Sequence, residues 1–227
     1  MANTVVIEEE IEIPMSLRSL GEFRAWATSD RFPERGRIDY IAGRIEVDMS
    51  PEDLFCHGAL KVELIRVLSQ RVKSGSLGHL FADRTRVSLP PADVSTEPDL
   101  VFVTHDTLSA GRARLVAKRG GEPGRYVELE GAPDLIVEIV SDASVNKDTQ
   151  RLPEAYFRAG VGEFWLADAR GQQLLFQIRH RGESGFHAAA SDADGFQASP
   201  AFGCRFRLDG VRNQRGEWRF DLLEREG

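Results

Sequence analysis

The chain has 227 residues, which is enough for one packed α/β core but not for two large domains. Hydrophobic residues make up 41% and charged residues 29%, as in globular proteins, and the two cysteines lack the spacing of a disulfide framework or zinc ribbon. The net charge of −7 disfavours tight non-specific binding to nucleic acid, so we expect any contact with DNA to be local.

The beginning of the chain carries no targeting signal that we recognise. No apolar run is long enough to span a bilayer, and residues 1–8 are acidic where a signal peptide would be basic. We therefore expect a cytoplasmic protein without a membrane partner. The acidic residues up to about Pro14 predict an arm whose segment 8–13 adds an edge strand or pairs with another subunit, and Ser16 is the predicted N-cap of a short helix.

A β-hairpin and a long helix come next. Residues 38–41 and 44–48 flank Ala42-Gly43 and predict the hairpin. Apolar residues at helical spacing then predict a helix from about residue 51 to the stop at Gly75. His57, near the start of its apolar stripe, is in such a position more often a structural residue than a ligand. Cys56 is not expected to act with it as a thiol catalyst, because adjacent residues do not face each other.

Two later segments, 98–103 and 133–140, begin with the same tripeptide Pro-Asp-Leu and continue with apolar residues. A β-branched run opened by proline is typical of a strand buried on both faces. The connection between them, residues 111–125, contains five bases and one acid. Such a loop would suit a phosphodiester substrate, although charge clusters in connections are more often only solvated.

Glu138 is the anomaly in the second of these strands, because an unpaired carboxylate costs several kcal/mol to bury. Asp99 opens the other strand and lies on the same side of it as Val101 and Val103. If the two strands are neighbours, the carboxylates converge, and a hard divalent cation such as Mg²⁺ relieves their repulsion. The alternative is that a buried arginine neutralises Glu138 and that Asp99 only caps its strand.

The rest of the chain completes a mixed sheet flanked by helices, an α/β (α+β) fold. A helix is predicted over residues 149–159 with Asp148 as its N-cap, and Pro153 favours a regular start closer to Arg151. Strands are predicted over 163–167 and 174–178. We assign residues 1–35 to the arm and short helix, 36–180 to the core, and 181–227 to a β-rich extension packed on that core, all within one domain.

Several pieces of this sequence together resemble the Uma-two family of restriction-endonuclease-like proteins, which belongs to the PD-(D/E)XK nuclease superfamily. The matching pieces are 39–46, His57, 97–103, 133–141, Lys147-Asp148, Tyr156 and 159–168. The resemblance covers about residues 36–180. It implies a restriction-endonuclease-like core and hydrolysis of DNA phosphodiester bonds with Mg²⁺ or Mn²⁺.

The resemblance also implies roles for single residues. Asp99 and Glu138 take the metal-binding positions, and Asp39 takes the further acidic position, with Glu46 in reserve. The superfamily's lysine position holds Val140. We expect DNA contacts from the basic loop and the neighbourhood of the site: Arg112, Arg114, Lys118, Arg119, His57, Gln150 and Arg151.

The lysine that would orient the nucleophile is displaced in this chain. Family members draw it from the helix after the Glu-bearing strand, at a position that holds Leu152 here. Lys147 is the nearest lysine, and we expect it to be the substitute. Its loss would slow the chemistry, whereas loss of Asp99 or Glu138 would remove the metal.

Two functions of different kinds follow from these residues. The first is a Mg²⁺-dependent DNA endonuclease, which the two acids in apolar strands favour. The second is a catalytically impaired nuclease-fold protein that acts as a dimeric binding module, which the displaced lysine and the negative charge favour. We expect a homodimer in either case. A protein-interaction scaffold without a nucleic-acid partner is a third possibility, based on the acidic arm and the β-rich tail.

Overall fold

A computed structural model describes residues 12–33 and 35–226. Its helices include two π-helical turns and one short 3₁₀ turn, which join or precede regular elements. They are α1 (Leu20–Ala27), a π turn (Leu54–Ala59), α2 (Leu60–Gly75), a 3₁₀ turn (Pro90–Ala92), α3 (His105–Ser109), a π turn (Lys147–Arg151) and α4 (Leu152–Ala159). No helix in these residues is both long and apolar enough to cross a membrane.

The strands form two six-stranded sheets and one three-stranded sheet. They are β1 (Arg37–Ile41), β2 (Arg44–Asp48), β3 (Gly78–Ala82), β4 (Arg86–Leu89), β5 (Val94–Thr96), β6 (Leu100–Thr104), β7 (Ala113–Ala117), β8 (Tyr126–Gly131), β9 (Leu135–Ile139), β10 (Glu163–Asp168), β11 (Leu175–Arg181), β12 (Phe186–Ala188), β13 (Gln197–Ser199), β14 (Cys204–Arg212) and β15 (Trp218–Glu226).

The mixed character of the sheet is confirmed, but the structure has two large mixed sheets where one was predicted. The first has the order β2-β1-β5-β4-β8-β7, and the second has the order β12-β11-β10-β9-β6-β3. Only the pairs β4–β8 and β9–β10 are parallel in these two sheets, within the residues described. The third sheet, β13-β14-β15, is antiparallel.

Two apolar cores determine how these layers stack. One lies between the two large sheets and α4, with Val101, Ile136 and Phe164 on one side and Val87 and Leu129 on the other. The other core covers the opposite face of the second sheet with α2 and the third sheet. A smaller cluster packs α1 on the outer face of β1. Successive side chains of β6 and β9 therefore point alternately into the two cores, so both strands are buried on both faces, as predicted.

The predicted hairpin is confirmed as β1 and β2, and its turn places Ala42 and Gly43 at φ 48° and 81°. Such a pair of positive φ angles matches the strand twist of a two-residue hairpin, and glycine adopts it without strain. The short helix starts later than predicted, because Ser19 rather than Ser16 is the N-cap, with its side chain accepting a hydrogen bond from the Glu22 backbone. Packing of Leu20 and its apolar neighbours on β1 sets this start.

The other differences concern helix starts and the chain ends. The helix expected from residue 51 begins as the π turn that Asp53 caps, and continues as α2. The helix expected from residue 149 likewise begins as a π turn, and α4 follows Arg151. Beyond residue 181, β12 still belongs to the second sheet, and the third sheet packs against its core. Most of the predicted arm, including segment 8–11, lies outside the described residues.

Candidate metal centre

Asp99 and Glu138 face each other across β6 and β9. The antiparallel register pairs Leu100 with Val137, so the next pair outward is Asp99 and Glu138, with both side chains on one face. The Ile139 amide donates a hydrogen bond of 2.7 Å to Asp99 Oδ2 and joins the two strands at this point. Asp99 is 0% exposed and Glu138 is 1% exposed. The expected convergence of two buried carboxylates is therefore present.

Asp99 is surrounded by cationic groups from three different elements. Its Oδ1 lies 3.1 Å from Arg37 Nη2, 3.3 Å from His57 Nε2 and 3.3 Å from Lys61 Nζ. Burial alone would raise the pKa of Asp99, but the hydrogen bond from His57 and the charges of Arg37, His57 and Lys61 hold this pKa well below its usual range. Asp99 is therefore a permanent buried anion, and it does more than cap its strand.

Glu138 has the opposite electrostatic environment. The Tyr156 hydroxyl donates a hydrogen bond of 2.5 Å to Glu138 Oε1. Burial, followed by the negative charges of Asp148 and Asp99, raises the pKa of Glu138 well above its usual value, although the Arg37 charge opposes this. The alternative expected a buried arginine to pair with Glu138, but the partly buried Arg37 forms its hydrogen bond with Asp99. The pKa of Glu138 is therefore shifted in the opposite direction from that of Asp99.

Asp148 is the residue that the sequence assigned most differently. It was predicted as an N-cap, but it is 1% exposed and faces the other acids from the π turn before α4. The Ser144 hydroxyl donates to its Oδ2, while its buried Oδ1 has no hydrogen-bond partner. Burial, reinforced by the charge of Asp99, raises the pKa of Asp148 to about 6 despite the opposing hydrogen bond from Ser144 and the charge of Lys147. An unpartnered buried oxygen is the kind of atom that a cation would satisfy.

Asp39 and Lys147 complete this group from two sides. Lys147 Nζ lies 3.0 Å from Asp39 Oδ2, and the Glu97 amide donates a hydrogen bond of 3.1 Å to Asp39 Oδ1. Burial would lower the pKa of Lys147, but the charges of Asp39, Asp148 and Glu138 outweigh it and raise this pKa. The four acids, hereafter the carboxylate cluster, are Asp39, Asp99, Glu138 and Asp148.

A second set of potential ligands adjoins Asp99. Ligand atoms of Glu52, His57 and Asp99 lie within 4.8 Å of one another, the one such group of three in the described residues. His57 Nδ1 is 3.2 Å from Glu52 Oε2. Lys61 Nζ, 3.0 Å from Glu52 Oε1, also contacts Asp83 at 2.5 Å. Lys61 thus occupies the gap between three acids.

Among the described residues, Glu52, His57 and Asp99 bring their ligand atoms close enough together to hold a divalent cation, and Glu138 lies on the strand next to Asp99. The donors are carboxylate oxygens and one imidazole nitrogen, a set that suits Mg²⁺ or Mn²⁺ when oxygen dominates. The unpartnered oxygen of Asp148 and the raised pKa values of Glu138 and Asp148 show that carboxyl groups are crowded here. A doubly charged ion would relieve this crowding.

Most of the remaining residues predicted to bind the substrate contact partners outside the carboxylate cluster. Arg151 pairs with Glu46 at 3.3 Å through its Nη1, and Gln150 is exposed. Arg112 and Arg114 form salt bridges with acids of their own hairpin region, at 3.3 Å to Asp134 and 2.7 Å to Glu130. Lys118 pairs with Asp30 at 2.6 Å, and the exposed Arg119 is held by its backbone, which donates to the Thr28 carbonyl. Of the predicted contacts, the structure brings only His57 and Lys147 to the carboxylate cluster.

Sequence reasoning missed Arg37, Glu52, Lys61 and Asp148 as parts of the site. Lys61 gave a usable signal, because it follows His57 by four residues and both lie on one helical face next to the apolar stripe. Arg37 precedes Asp39 by two residues, so both point from β1 to the same side. Glu52, before the π turn, gave no signal of this kind.

The comparisons agree with this architecture. The model of the Uma2 family, described as "Putative restriction endonuclease", matches residues 20–209. The chain belongs to the Uma2 family. This is the Uma-two family expected from the sequence. Its membership and the nuclease-like fold are thereby confirmed.

One solved structure is similar over most of its length. It is a protein of Anabaena variabilis described as "a putative nuclease belonging to DUF820", with 22% identity and a TM-score of 0.59. The match covers 81% of this chain and 90% of that chain. At this identity the likeness concerns the fold. No curated protein matches this Uma2 chain.

The raised pKa of Asp148 predicts a pH-dependent stability change in Asp148→Asn. Below pH 3.8, the pKa of an aspartate in the unfolded chain, Asp148 is protonated in both the folded and the unfolded protein. Between pH 3.8 and about 6 it is protonated mainly in the folded protein. Asp148 therefore lowers the free energy of unfolding more and more as the pH rises through this range. In EDTA we expect the variant to match the wild type at acidic pH and to exceed its free energy of unfolding by up to about 3 kcal/mol near neutrality. Urea denaturation across pH measures this difference.

The exposed Asp142 in the same connection provides the control, since Asp142→Asn should leave the pH profile unchanged. A pH-independent difference between Asp148→Asn and the wild type would contradict the assignment of a crowded, proton-bound carboxyl group.

Proposed function

We propose that this Uma2 protein is a metal-dependent endonuclease that hydrolyses DNA phosphodiester bonds at the carboxylate cluster, with Mg²⁺ or Mn²⁺ as the cofactor. The observation that carries the proposal is the opposition of Asp99 and Glu138, both buried, on neighbouring strands of the second sheet. The description of the Uma2 family as restriction endonucleases and that of the Anabaena protein as a nuclease support it.

Asp99 and Glu138 would hold the cation, with Glu52 and His57 as further donors on the outer side of Asp99. When bound, a divalent cation supplies a water of lowered pKa and positive charge beside the scissile phosphate. Glu138 would hold the cation as a carboxylate, because metal ligands must be deprotonated. The Tyr156 hydroxyl, which hydrogen-bonds Glu138 Oε1, would keep that carboxylate in its orientation.

The cationic side chains would orient the reacting phosphate. Arg37 and Lys61 neutralise Asp99 in the free protein, and each can turn toward a phosphate oxygen once Asp99 is ligated. Lys147 would orient the attacking water from the π turn, on the other side of Glu138. Asp39 holds Lys147 in this position by an ion pair of 3.0 Å.

The second candidate is a dimeric, catalytically impaired binding module. It is favoured by Leu152, which stands at the family's usual lysine position and is buried between the two large sheets. Both nearby lysines are also committed to ion pairs, Lys147 with Asp39 and Lys61 with Asp83 and Glu52. Such a protein would bind the cation without cleaving DNA.

Plasmid nicking distinguishes the two candidates. We expect the wild type to nick supercoiled DNA in Mg²⁺ or Mn²⁺ but not in EDTA, and expect Asp99→Asn and Glu138→Gln to lose about 100-fold or more, because the cation provides several kcal/mol of transition-state stabilisation. Asp142→Asn, an exposed change, should keep full activity. Cleavage that persists in EDTA or in both site variants would refute the proposal.

The role of Lys147 has its own test. Lys147→Met should slow nicking by about tenfold or more, since it removes an orienting charge, while calorimetry should show that Mn²⁺ still binds. Lys73→Met, at an exposed position of α2, serves as the matched control. If Lys147→Met nicks DNA as fast as this control, the orienting group is a different one.

A further inference from the structure

A broad cleft opens beside the carboxylate cluster. Its volume is 1620 Å³, and it lies between the end of α1, the start of β4 and the hairpin of β7 and β8. Its charged lining includes Arg31, Arg84, Arg86, Glu97, Lys118 and Arg125. The bases therefore come from three separate parts of the chain and converge only in the folded protein.

Two of these bases are neutralised inside the cleft wall. Arg86 Nη2 lies 2.5 Å from Glu97 Oε1, and both side chains are buried. Lys118 Nζ lies 2.6 Å from Asp30 Oδ1. These ion pairs shape the wall, and they contribute little net charge to it.

The other three arginines named above are different. Arg31, Arg84 and Arg125 are exposed, and none forms a salt bridge with another described residue. Three arginines without a salt bridge to the described residues thus face one concave surface of a chain whose net charge is −7. A local surplus of positive charge attracts a polyanion to this surface, although the net negative charge of the whole chain repels it.

Contacts between neighbouring residues connect the wall of the cleft with the carboxylate cluster. Glu97 forms part of the cleft wall, while its backbone amide donates to Asp39 in the cluster, at 3.1 Å. Arg84 directly follows Asp83, whose Oδ1 lies 2.5 Å from Lys61 Nζ. Lys61 Nζ in turn lies 3.3 Å from Asp99 Oδ1. Phosphates bound in the cleft would therefore lie near residues that contact the acids.

We propose that this cleft binds the phosphodiester backbone of DNA, with Arg31, Arg84 and Arg125 each contacting a phosphate, and leads one strand to the carboxylate cluster. The inference rests on the proposed function and names the surface that receives its substrate. It also transfers the binding role from Arg112 and Arg114, which are held in salt bridges, to arginines that form no salt bridge with the described residues.

The test compares two triple variants of equal net charge. The first is Arg31→Gln/Arg84→Gln/Arg125→Gln. The control is Arg158→Gln/Arg215→Gln/Arg219→Gln, which changes exposed arginines outside the cleft that have no salt bridge to described residues. Fluorescence anisotropy with a labelled DNA duplex in EDTA measures binding without cleavage, over a range of salt concentrations.

We expect the control to bind like the wild type apart from a small uniform decrease. The cleft variant should bind about tenfold more weakly or worse, and its slope of log K against log salt should be smaller by about 3, because three phosphate contacts are lost. Thermal unfolding should show both variants folded, since all six side chains are exposed. Equal affinities and equal slopes for the two triple variants would overturn the cleft assignment.

Failure of this inference can be told apart from failure of the proposed function. Wild-type protein that binds DNA through the three arginines but never nicks it in Mg²⁺ or Mn²⁺ would leave the cleft standing and refute the endonuclease. If the cleft variant binds and nicks DNA like the control, and nicking depends on the metal, the endonuclease would stand and the cleft assignment would be refuted.

Discussion

The repulsion among four buried carboxylates is the constraint on which the rest of this structure depends. Asp39, Asp99, Glu138 and Asp148 come from both large sheets and from the turn before α4, and all are almost fully buried. Burying so much negative charge costs free energy unless it is neutralised. The four acids differ in how their charge is neutralised. Asp99 is neutralised by neighbouring cations, Asp39 is ion-paired with Lys147, and Glu138 and Asp148 have raised pKa values.

The fold holds this arrangement rigidly because each acid lies on, or beside, an element fixed by apolar packing. The β6–β9 register sets Asp99 opposite Glu138, and the cores on both sides of the second sheet fix that register. β1 brings Asp39 from the other large sheet, while α1 covers its outer face. Apolar packing thus keeps the four acids together despite their mutual repulsion.

The sequence revealed the centre of the site but not its surroundings. Asp99 and Glu138 could be predicted because a carboxylate in an apolar strand violates the hydrophobic pattern, and because two similar strands are natural neighbours. Arg37 and Lys61 could not, since a base on an amphipathic element looks like an ordinary exposed residue until the tertiary contacts are known. Asp148 was misjudged because an acid before a helix usually caps it, and only the π turn carries it inward. The N-cap of α1 was misplaced for a similar reason, because Ser16 and Ser19 are both suitable capping residues in the sequence.

The most direct test is a calorimetric titration with Mn²⁺ in buffers that differ in ionisation enthalpy. If a divalent cation joins the carboxylate cluster, binding by the wild type must release about one proton, chiefly from Glu138, and the observed heat must change with the buffer. The proton release should largely disappear in Glu138→Gln. Binding without proton release, or no binding at all, would contradict the account of a cation site built from crowded acids.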